Sequence, residues 1–226
     1  MKVTYIDHMG SDLSVVNAAR VSFGKRSECT EVRWVEMGDW CGDMPVVSQR
    51  DVNLISYLAN HKHMSPFGHC FASFHVKAPL FVARQLVKHK FLRWNEVSRR
   101  YVDDDPEFYV PDVWRGRSAD KKQGSSGEVG ASDYSVRRVN HAALLAYKSL
   151  LADGVAPEQA RMVLPLSTYT EWYWSGSLDA FADMCRLRLK SDTQYETRAV
   201  AEQISDHMLK LFPVSWEALI GDLDAE

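Results

Sequence analysis

The stretch FVARQLVKHKFLRWNEVSRRY, residues 81–101, decides how the rest of the chain is interpreted. It carries six lysine and arginine side chains and one histidine, while apolar residues recur at helical spacing through its first half. A surface loop needs no apolar stripe, and a core helix does not favour this much charge. The pattern predicts an element with one buried face whose other face binds an anion.

Bulk composition makes this basic stretch a local exception. The chain has 226 residues, 46% of them hydrophobic, and a net charge of −3. This length fits one domain or one domain with an insertion. A slightly acidic chain argues against general nucleic-acid binding, which needs a basic surface. The target of the basic stretch is therefore expected to be phosphate-sized, and no nucleic-acid partner is expected.

The four cysteines form no CxxC pair and no metal-ligand spacing: they are Cys29, Cys41, Cys70 and Cys185. Without a signal peptide, they indicate reduced thiols of a cytoplasmic protein. No apolar run approaches the length of a membrane span, so no membrane partner is expected.

Periodicity predicts a mixed α/β or α+β domain. The expected strands cover residues 2–6, 70–77 and 168–174. The expected helices cover residues 14–23, 49–60, 134–153 and 193–212, with shorter ones starting at Pro79, Pro157 and Ser177. In the first of these shorter helices, continued to Lys90, Arg84 with Lys88 and Gln85 with His89 would form one polar patch.

The remaining segments are expected to be irregular. Residues 24–48 are interpreted as a loop with little regular structure, and the chain after Trp94 as an ordered loop broken by prolines. Residues 116–132 are small and polar, which indicates a flexible insertion without a catalytic role in a single domain of residues 1–226. The run Asp103–Asp105 is typical of a solvated turn.

Three histidines in HKHMSPFGH, residues 61–69, raise the question of a metal site. Their spacing fits no standard zinc pattern, so a turn with solvated histidines is preferred and no metal is expected. A further possibility is that His63 and Ser65 donate hydrogen bonds to a ligand.

Elimination narrows the chemistry to an arginine-rich site. Ser98 has no nucleophile elbow, and the chain has no P-loop and no GxGxxG motif. What remains is a set of cations suited to phosphates and to carbonyl or imide edges. These are Arg84, Lys88, Lys90, Arg93, Arg99 and Arg100, with Arg161, Arg186 and Arg188 downstream.

The segment KHKFLRWNEVSRRY resembles the signature of flavin-dependent thymidylate synthases, which is Arg-His-Arg, seven residues and then Ser. Here Lys88-His89-Lys90 precedes Ser98 by the same seven residues. Five further blocks match the family in order and spacing, and the resemblance covers nearly the whole chain except roughly 24–48 and 116–132. The blocks are AARVSF (18–23), HMSPFGH (63–69), FHVKAPLFVARQ (74–85), ARMVLPL (160–166) and LRLKSDTQYE (187–196).

The resemblance implies reductive methylation of dUMP to dTMP. Methylenetetrahydrofolate would supply the carbon, and NADPH would reduce FAD, which supplies the hydride. It also implies an α/β protomer in a homotetramer whose active sites are shared between subunits. No Cys follows a Pro in the chain, which fits a mechanism without a cysteine nucleophile.

The resemblance also implies residue roles. FAD would be bound by His63, Ser65, Lys88, His89 and Lys90. dUMP would be bound by Gln85, Glu96, Ser98, Arg99, Arg100, Arg161 and Arg188. Arg188 would be catalytic, because a fixed cation at the uracil edge stabilises negative charge that develops on the carbonyls.

The sequence departs from the family at several positions. Lys88 and Lys90 replace arginines, which keeps the charge but loses the bidentate fork. Arg93 stands where a small residue is common, and Ser177, Asp183 and Asp192 replace residues common in the family. Two alternatives stay open: a flavin-dependent pyrimidine-nucleotide hydroxymethylase of the same fold, and a non-catalytic nucleotide-binding homologue.

Overall fold

The computed structural model describes residues 1–29, 31–118 and 124–221. Its strands are β1 (Lys2–Met9), β2 (Glu31–Met37), β3 (Trp40–Val46), β4 (Phe71–Pro79), β5 (Leu92–Glu96), β6 (Arg115–Arg117), β7 (Ser125–Glu128) and β8 (Tyr169–Ser177). Its α-helices are α1 (Asp12–Arg20), α2 (Gln49–Asn60), α3 (Leu80–Leu86), α4 (Tyr134–Ala152), α5 (Pro157–Ala160), α6 (Leu178–Arg188), α7 (Tyr195–Leu211) and α8 (Pro213–Ile220). This confirms the predicted mixed fold class.

One antiparallel sheet of four strands, in the order β1-β4-β8-β5, organises the described chain. Its register aligns Ala72 of β4 with Gly176 of β8 and Leu92 of β5. Four residues further along β5, Glu96 is aligned with Trp172. The two ends of β5 therefore lie at opposite ends of its pairing with β8.

The core forms where one face of β4 meets α6 and α7. Alternate residues from Cys70 to Val76 are buried, as the period of two predicts. The Phe74 ring packs edge-on against Phe181 of α6, with centroids 5.3 Å apart. The predicted inward residues of the last two long helices are buried as well: Leu178, Phe181, Cys185, Val200, Ile204, Met208 and Leu211.

The prediction of a loop over residues 24–48 is wrong for residues 31–46. Strands β2 and β3 form a hairpin whose two-residue turn begins at Gly38, with φ +57°. Val35, Met37 and Met44 of this hairpin are buried against the core. Tertiary packing of these few apolar side chains outweighs the polar character of the segment.

The predicted continuation of α3 to Lys90 is also wrong. The helix ends at Leu86, and the chain turns at Phe91, whose φ of +64° is left-handed. Strand β5 then occupies part of the predicted loop, because its Trp94 stacks on Trp172 of β8 at 4.3 Å between centroids. The polar patch expected on a single helix is therefore divided between the helix and the following turn.

The segment 116–132 contains part of a second hairpin, β6–β7. Residues 119–123 lie outside the described residues, so the flexibility of this insertion stays a prediction. The single-domain assignment also stays a prediction. On α4 the expected inward position of Val139 is wrong, since that side chain is 58% exposed while Asn140 and Tyr147 are buried.

All four cysteines are free thiols. Cys70 and Cys185 are buried, and burial raises the pKa of both thiols, that of Cys70 to about 12. These two side chains are core residues with no thiolate character at neutral pH. Within the described ranges, no helix is both long and apolar enough to cross a membrane.

Candidate functional site

A cleft of about 780 Å³ opens between α3, the loop after β5 and the turn after α5. Its polar lining brings together four residues that the sequence predicted for one ligand: Glu96, Ser98, Arg100 and Arg161. Its apolar lining is Leu80, Ala83, Val87, Val97, Met162, Leu164 and Leu166, and Arg84 adds a third guanidinium. Three cations beside an apolar wall suit a small anion with a planar ring.

Each carboxylate oxygen of Glu96 accepts a hydrogen bond from a neighbouring side chain. Thr170 Oγ1 donates to Oε1 at 2.7 Å, and Trp94 Nε1 donates to Oε2 at 3.1 Å. Thr170 is buried on β8, and the Trp94 ring is fixed by stacking on Trp172. The carboxylate is therefore preorganised as an acceptor for an N–H or O–H of a ligand.

Ser98 and Arg100 form one local unit. Arg100 Nε donates to Ser98 Oγ at 3.1 Å, and the guanidinium lies 4.9 Å from the centroid of the Tyr101 ring. No histidine is bonded to this hydroxyl in the part of the chain that the structure describes. The arrangement suits Ser98 for binding rather than for nucleophilic attack.

Arg99 points into an adjoining cleft of about 420 Å³ that shares Glu96 and Arg161 with the first. Its Nη1 donates to the Asp104 carbonyl oxygen at 2.8 Å and lies 3.7 Å from the carboxylate of that residue. The Arg99 charge is thus partly compensated within the chain. Asp103, Asp104 and Asp105 are exposed, as predicted for a solvated turn.

A second group of predicted residues surrounds the C-terminal end of α6. Arg188 Nε donates to His89 Nε2 at 2.9 Å. Burial, followed by the charge of Arg188, lowers the pKa of His89 to about 4, so the imidazole is neutral near pH 7. Lys88 and Lys90 flank it as exposed cations that make no ion pair within the described ranges.

The sheet register relates this second group to the histidine-containing turn. Leu92 and Gly176 align with Ala72 near the start of β4, so the segment after Lys90 approaches the same sheet end as Cys70. His63 and Ser65 are exposed on the turn that leads into β4, where residues 65–69 form a 3-10 helix. The five residues predicted for the flavin therefore belong to segments that converge on this end of the sheet.

The Lys-His-Lys motif and Glu96 stand at opposite ends of β5, although Val87, which directly precedes the motif, also lines the nucleotide cleft. Five residues in a strand rise by about 13 Å from first to last, and Leu92 and Glu96 mark those two ends. Arg188 is not among the side chains that line the cleft of Ser98 and Arg100. The structure thus does not bring the predicted catalytic arginine to the predicted nucleotide cleft within one chain.

Gln85 does not line either of these two clefts; it faces the start of α7. Its Nε2 donates to Gln194 Oε1, and its Oε1 accepts from Thr197 Oγ1 at 3.2 Å. The sequence does not predict the contact between Gln85 and Gln194, although Gln194 falls inside the matched block 187–196. It also does not predict the role of Thr170, for which it carries no signal beyond its place in a strand.

Comparison with known proteins gives the same answer as the sequence motifs. The family model described as thymidylate synthase complementing protein matches residues 4–214. A flavin-dependent thymidylate synthase of Thermus thermophilus is 38% identical over 218 residues, which cover 96% of this chain and 74% of that protein. The chain belongs to this family.

Further flavin-dependent thymidylate synthases agree, such as that of Thermosipho africanus, which is 36% identical over 96% of this chain and 92% of its own length. Among solved structures, the UMP/dUMP methylase PolB from Streptomyces cacaoi bound with 5-Br dUMP matches with a TM-score of 0.78. It is 34% identical and aligns over 96% of this chain and 93% of its own. The same enzyme bound with 5-Br UMP matches with a TM-score of 0.77.

The side chains around His89 fit the flavin that this family uses. A dinucleotide cofactor carries a pyrophosphate, and Lys88 and Lys90 offer two cations that no described carboxylate neutralises. His63 and Ser65 add exposed donors. The donor set therefore matches FAD in charge and in hydrogen-bonding capacity.

At one position where the chain departs from its family, the Asp183 side chain has a local partner. Asp183 Oδ1 accepts from Arg186 Nη2 at 2.6 Å, so its negative charge is partly compensated within α6. The carbonyl oxygen of Asp192 lies 2.6 Å from where a Cβ on Gly124 would stand. A side chain at Gly124, whose φ is +86°, would therefore separate the β6–β7 hairpin from the loop before α7.

Proposed function

We propose that this chain is a flavin-dependent thymidylate synthase that methylates dUMP to dTMP. The observation that carries the proposal is the cleft that brings Glu96, Ser98 and Arg100 of one segment together with Arg161 of another. The carbon donor is methylenetetrahydrofolate, and NADPH is the reductant that acts through FAD.

The nucleotide is bound by fixed, complementary groups. Arg100 and Arg161 attract the phosphate, and Arg99 adds a weaker contribution because Asp104 already compensates it. The Ser98 hydroxyl, held by Arg100, donates to a nucleotide oxygen. Glu96 accepts from an N–H or O–H of the nucleotide. Gln85 does not line the cleft of its own chain, and its amide N–H would reach the nucleotide in the shared site of a second copy.

The flavin is bound by His63, Ser65, Lys88, His89 and Lys90. The chemistry that FAD supplies when bound is reduction of the pyrimidine and its new one-carbon substituent. Lysines at 88 and 90 hold phosphates as point charges, which gives a less rigid grip than arginine forks. His89, kept neutral, orients Arg188 toward the pyrimidine.

Arg188 completes the site from a second copy of the chain. In one chain this residue is bonded to His89 and does not line the nucleotide cleft. A homotetramer with shared active sites brings the Arg188 guanidinium of one subunit to the uracil edge in another. There it stabilises negative charge on the carbonyls.

A second candidate substrate is UMP. The observation that favours it is the solved UMP/dUMP methylase, which was captured with both 5-Br dUMP and 5-Br UMP and shares this fold. The proposed location is the cytosol, because the four free thiols fit a reducing compartment.

The test is a product assay on the purified protein with FAD, NADPH, methylenetetrahydrofolate and either dUMP or UMP. Mass spectrometry should find the 5-methyl nucleotide from dUMP, and a thymidine auxotroph should grow when it expresses the chain. A 5-hydroxymethyl product would replace the proposal with the hydroxymethylase. A protein that binds dUMP, stays colourless with FAD and forms no product would be a non-catalytic homologue.

The assay needs a matched pair of variants. Arg161→Ala removes a cation of the cleft, and Arg137→Ala removes an exposed arginine that pairs with Asp133 on α4 at 2.6 Å. Only Arg161→Ala should weaken dUMP binding. Equal effects of the two variants would contradict the assignment of the cleft.

A further inference from the structure

A chain of hydrogen-bonded side chains runs from the β6–β7 hairpin to Gln85. Arg115, the first residue of β6, pairs with the Glu196 carboxylate on α7. Glu196 Oε2 accepts from Gln194 Nε2 at 3.1 Å, and Gln194 Oε1 accepts from Gln85 Nε2. At the end of this series of hydrogen bonds, Thr197 Oγ1 donates to Gln85 Oε1 at 3.2 Å.

Glu196 is the anchor of this chain. Its side chain is only 6% exposed, yet it carries a carboxylate with several partners. Besides Arg115 and Gln194, Tyr109 donates its hydroxyl to Oε1 at 3.2 Å. Burial and the nearby carboxylate raise the pKa of the Tyr109 hydroxyl, so this group remains a donor. A buried ion pair contributes little net stability. We therefore interpret the Arg115–Glu196 pair by the side chain that it orients, which is Gln194.

The charge of Glu196 sets the direction of every bond that follows. A carboxylate only accepts hydrogen bonds, so Gln194 must turn its NH₂ group toward Glu196 and its carbonyl toward Gln85. Gln85 must then turn its own NH₂ group toward Gln194 and its carbonyl toward Thr197. A flip of Gln194 would break both of its bonds, and a flip of Gln85 would break its bond to Gln194.

This direction determines what Gln85 offers to a ligand. One N–H of its amide is used by Gln194 and its carbonyl is used by Thr197. The second N–H has no partner in the described ranges. Gln85 is half-buried and is therefore held as a hydrogen-bond donor with a fixed orientation.

The β6–β7 hairpin fixes the orientation of Arg115, the ion-pair partner of Glu196. Arg115 Nε donates to Ser125 Oγ on β7 at 3.2 Å, and its guanidinium lies 4.3 Å from the centroid of the Tyr195 ring. The segment 116–132, predicted from its composition to have no catalytic role, thus contributes Ser125 to the orientation of Arg115.

We infer that Arg115 and Glu196 are positioning residues for nucleotide binding, because they fix the Gln85 amide as a donor through Gln194. The inference rests on the proposed function in one respect, namely that the nucleotide in a shared site, bound to the cleft of a second copy, accepts this N–H. It adds the β6–β7 hairpin to the elements that set nucleotide affinity.

The test is a double-mutant cycle on dUMP affinity, measured by calorimetry on the FAD-loaded protein. Glu196→Gln keeps the shape of the side chain but removes the charge that sets the direction, and it should weaken dUMP binding about tenfold. Gln85→Leu should weaken binding by a similar factor. The double variant should bind no more weakly than Gln85→Leu alone, because both changes remove one interaction.

Two further variants separate positioning from folding. Gln194→Met interrupts the series of hydrogen bonds between Glu196 and Gln85 but leaves the Arg115–Glu196 ion pair. It should therefore also weaken dUMP binding about tenfold, with FAD retained. Arg137→Gln, which breaks an exposed ion pair on α4, should leave dUMP affinity unchanged.

Additive losses in the cycle, or wild-type affinity in a folded Gln194→Met, would overturn the inference while leaving the proposed function intact. A wild-type protein that binds no dUMP would overturn both. The two failures are therefore distinguishable from the wild-type measurement alone.

Discussion

Arg188 Nε donates to His89 Nε2, so the last turn of α6 is tied to the central residue of the Lys-His-Lys motif. The bond requires an unprotonated Nε2, which places the remaining ring proton on Nδ1. A neutral imidazole can thus hold a guanidinium in a fixed plane without adding a competing charge. Two residues that lie 99 positions apart in the sequence act here as one unit.

Burial of the His89 imidazole, followed by the nearby charge of Arg188, makes stability depend on pH. The folded pKa of His89, about 4, lies below its ordinary value of 6.5, so the unfolded chain binds more protons between these values. The contribution of His89 to the free energy of unfolding is therefore complete above pH 6.5 and lost as the pH falls toward 4. In urea titrations, His89→Gln should show a smaller loss between pH 6.5 and 4 than the wild type.

His8 and His207 also have lowered pKa values because of burial, so part of the slope belongs to them and remains in the variant. His141→Gln is the matched control, since this histidine is exposed on α4. Identical slopes for wild type and His89→Gln would mean that the pKa of His89 is not lowered in the folded protein.

Removing the Arg188 guanidinium should separate flavin binding from turnover. Arg188→Ala should keep FAD, because the flavin-binding residues stay in place, but lose at least about 100-fold in kcat, as is typical when a preorganised charge is deleted. Flavin absorbance of the purified variant and single-turnover product formation measure the two effects. Near-normal turnover would show that Arg188 is not catalytic.

The hydroxyl of Thr170 should matter to the reaction only through Glu96. Thr170→Val keeps the β-branched shape in β8 but removes the bond to Glu96 Oε1, and kcat/KM should fall about tenfold because a hydrogen bond to a charged group is lost. Thr170→Ser restores the hydroxyl and should recover most of the activity. If Val and Ser variants behave alike at unchanged melting temperature, the hydroxyl does not orient Glu96.

A side chain at Gly176 would crowd the start of β5. A Cβ there would lie 2.4 Å from Leu92 Cδ2 and 3.2 Å from the Phe91 carbonyl oxygen. Gly176→Ala should therefore displace the start of β5, destabilise the protein by about 1–3 kcal/mol and weaken FAD retention. Gly130→Ala is the control, because a Cβ at that position meets nothing within 4 Å, and it should change stability by less than about 0.5 kcal/mol.

Strong periodicity allowed much of this fold to be predicted. The strand around Phe74 and the helices 49–60 and 193–212 repeat apolar residues with one clear period, and the structure has them within two residues of the predicted bounds. The sequence does not predict the β2–β3 hairpin, because only Val35, Met37 and Met44 of its fourteen strand residues are fully buried. Such a weak pattern is decided by contacts that are distant in sequence.

The candidate site could be predicted by residue type but not by arrangement. The motifs identified the cations and Glu96, while nothing in the sequence indicates that Gln85 faces Gln194 or that Arg188 bonds to His89. These contacts join residues about 100 positions apart, and they depend on how α3, α6 and α7 pack. Without that packing, the groups at the two ends of β5 appear as one continuous binding stretch.

The position of β5 gives a physical meaning to the seven-residue interval between Lys90 and Ser98. The interval consists of one turn residue, the five-residue strand and Val97, whose N–H still bonds to the Glu171 carbonyl oxygen. Side chains alternate across a strand, so inserting or deleting one residue would exchange the two faces of the residues that follow. The length of the interval therefore sets which way the side chains after β5 point. This length is under stricter physical constraint than the identity of most residues within the interval.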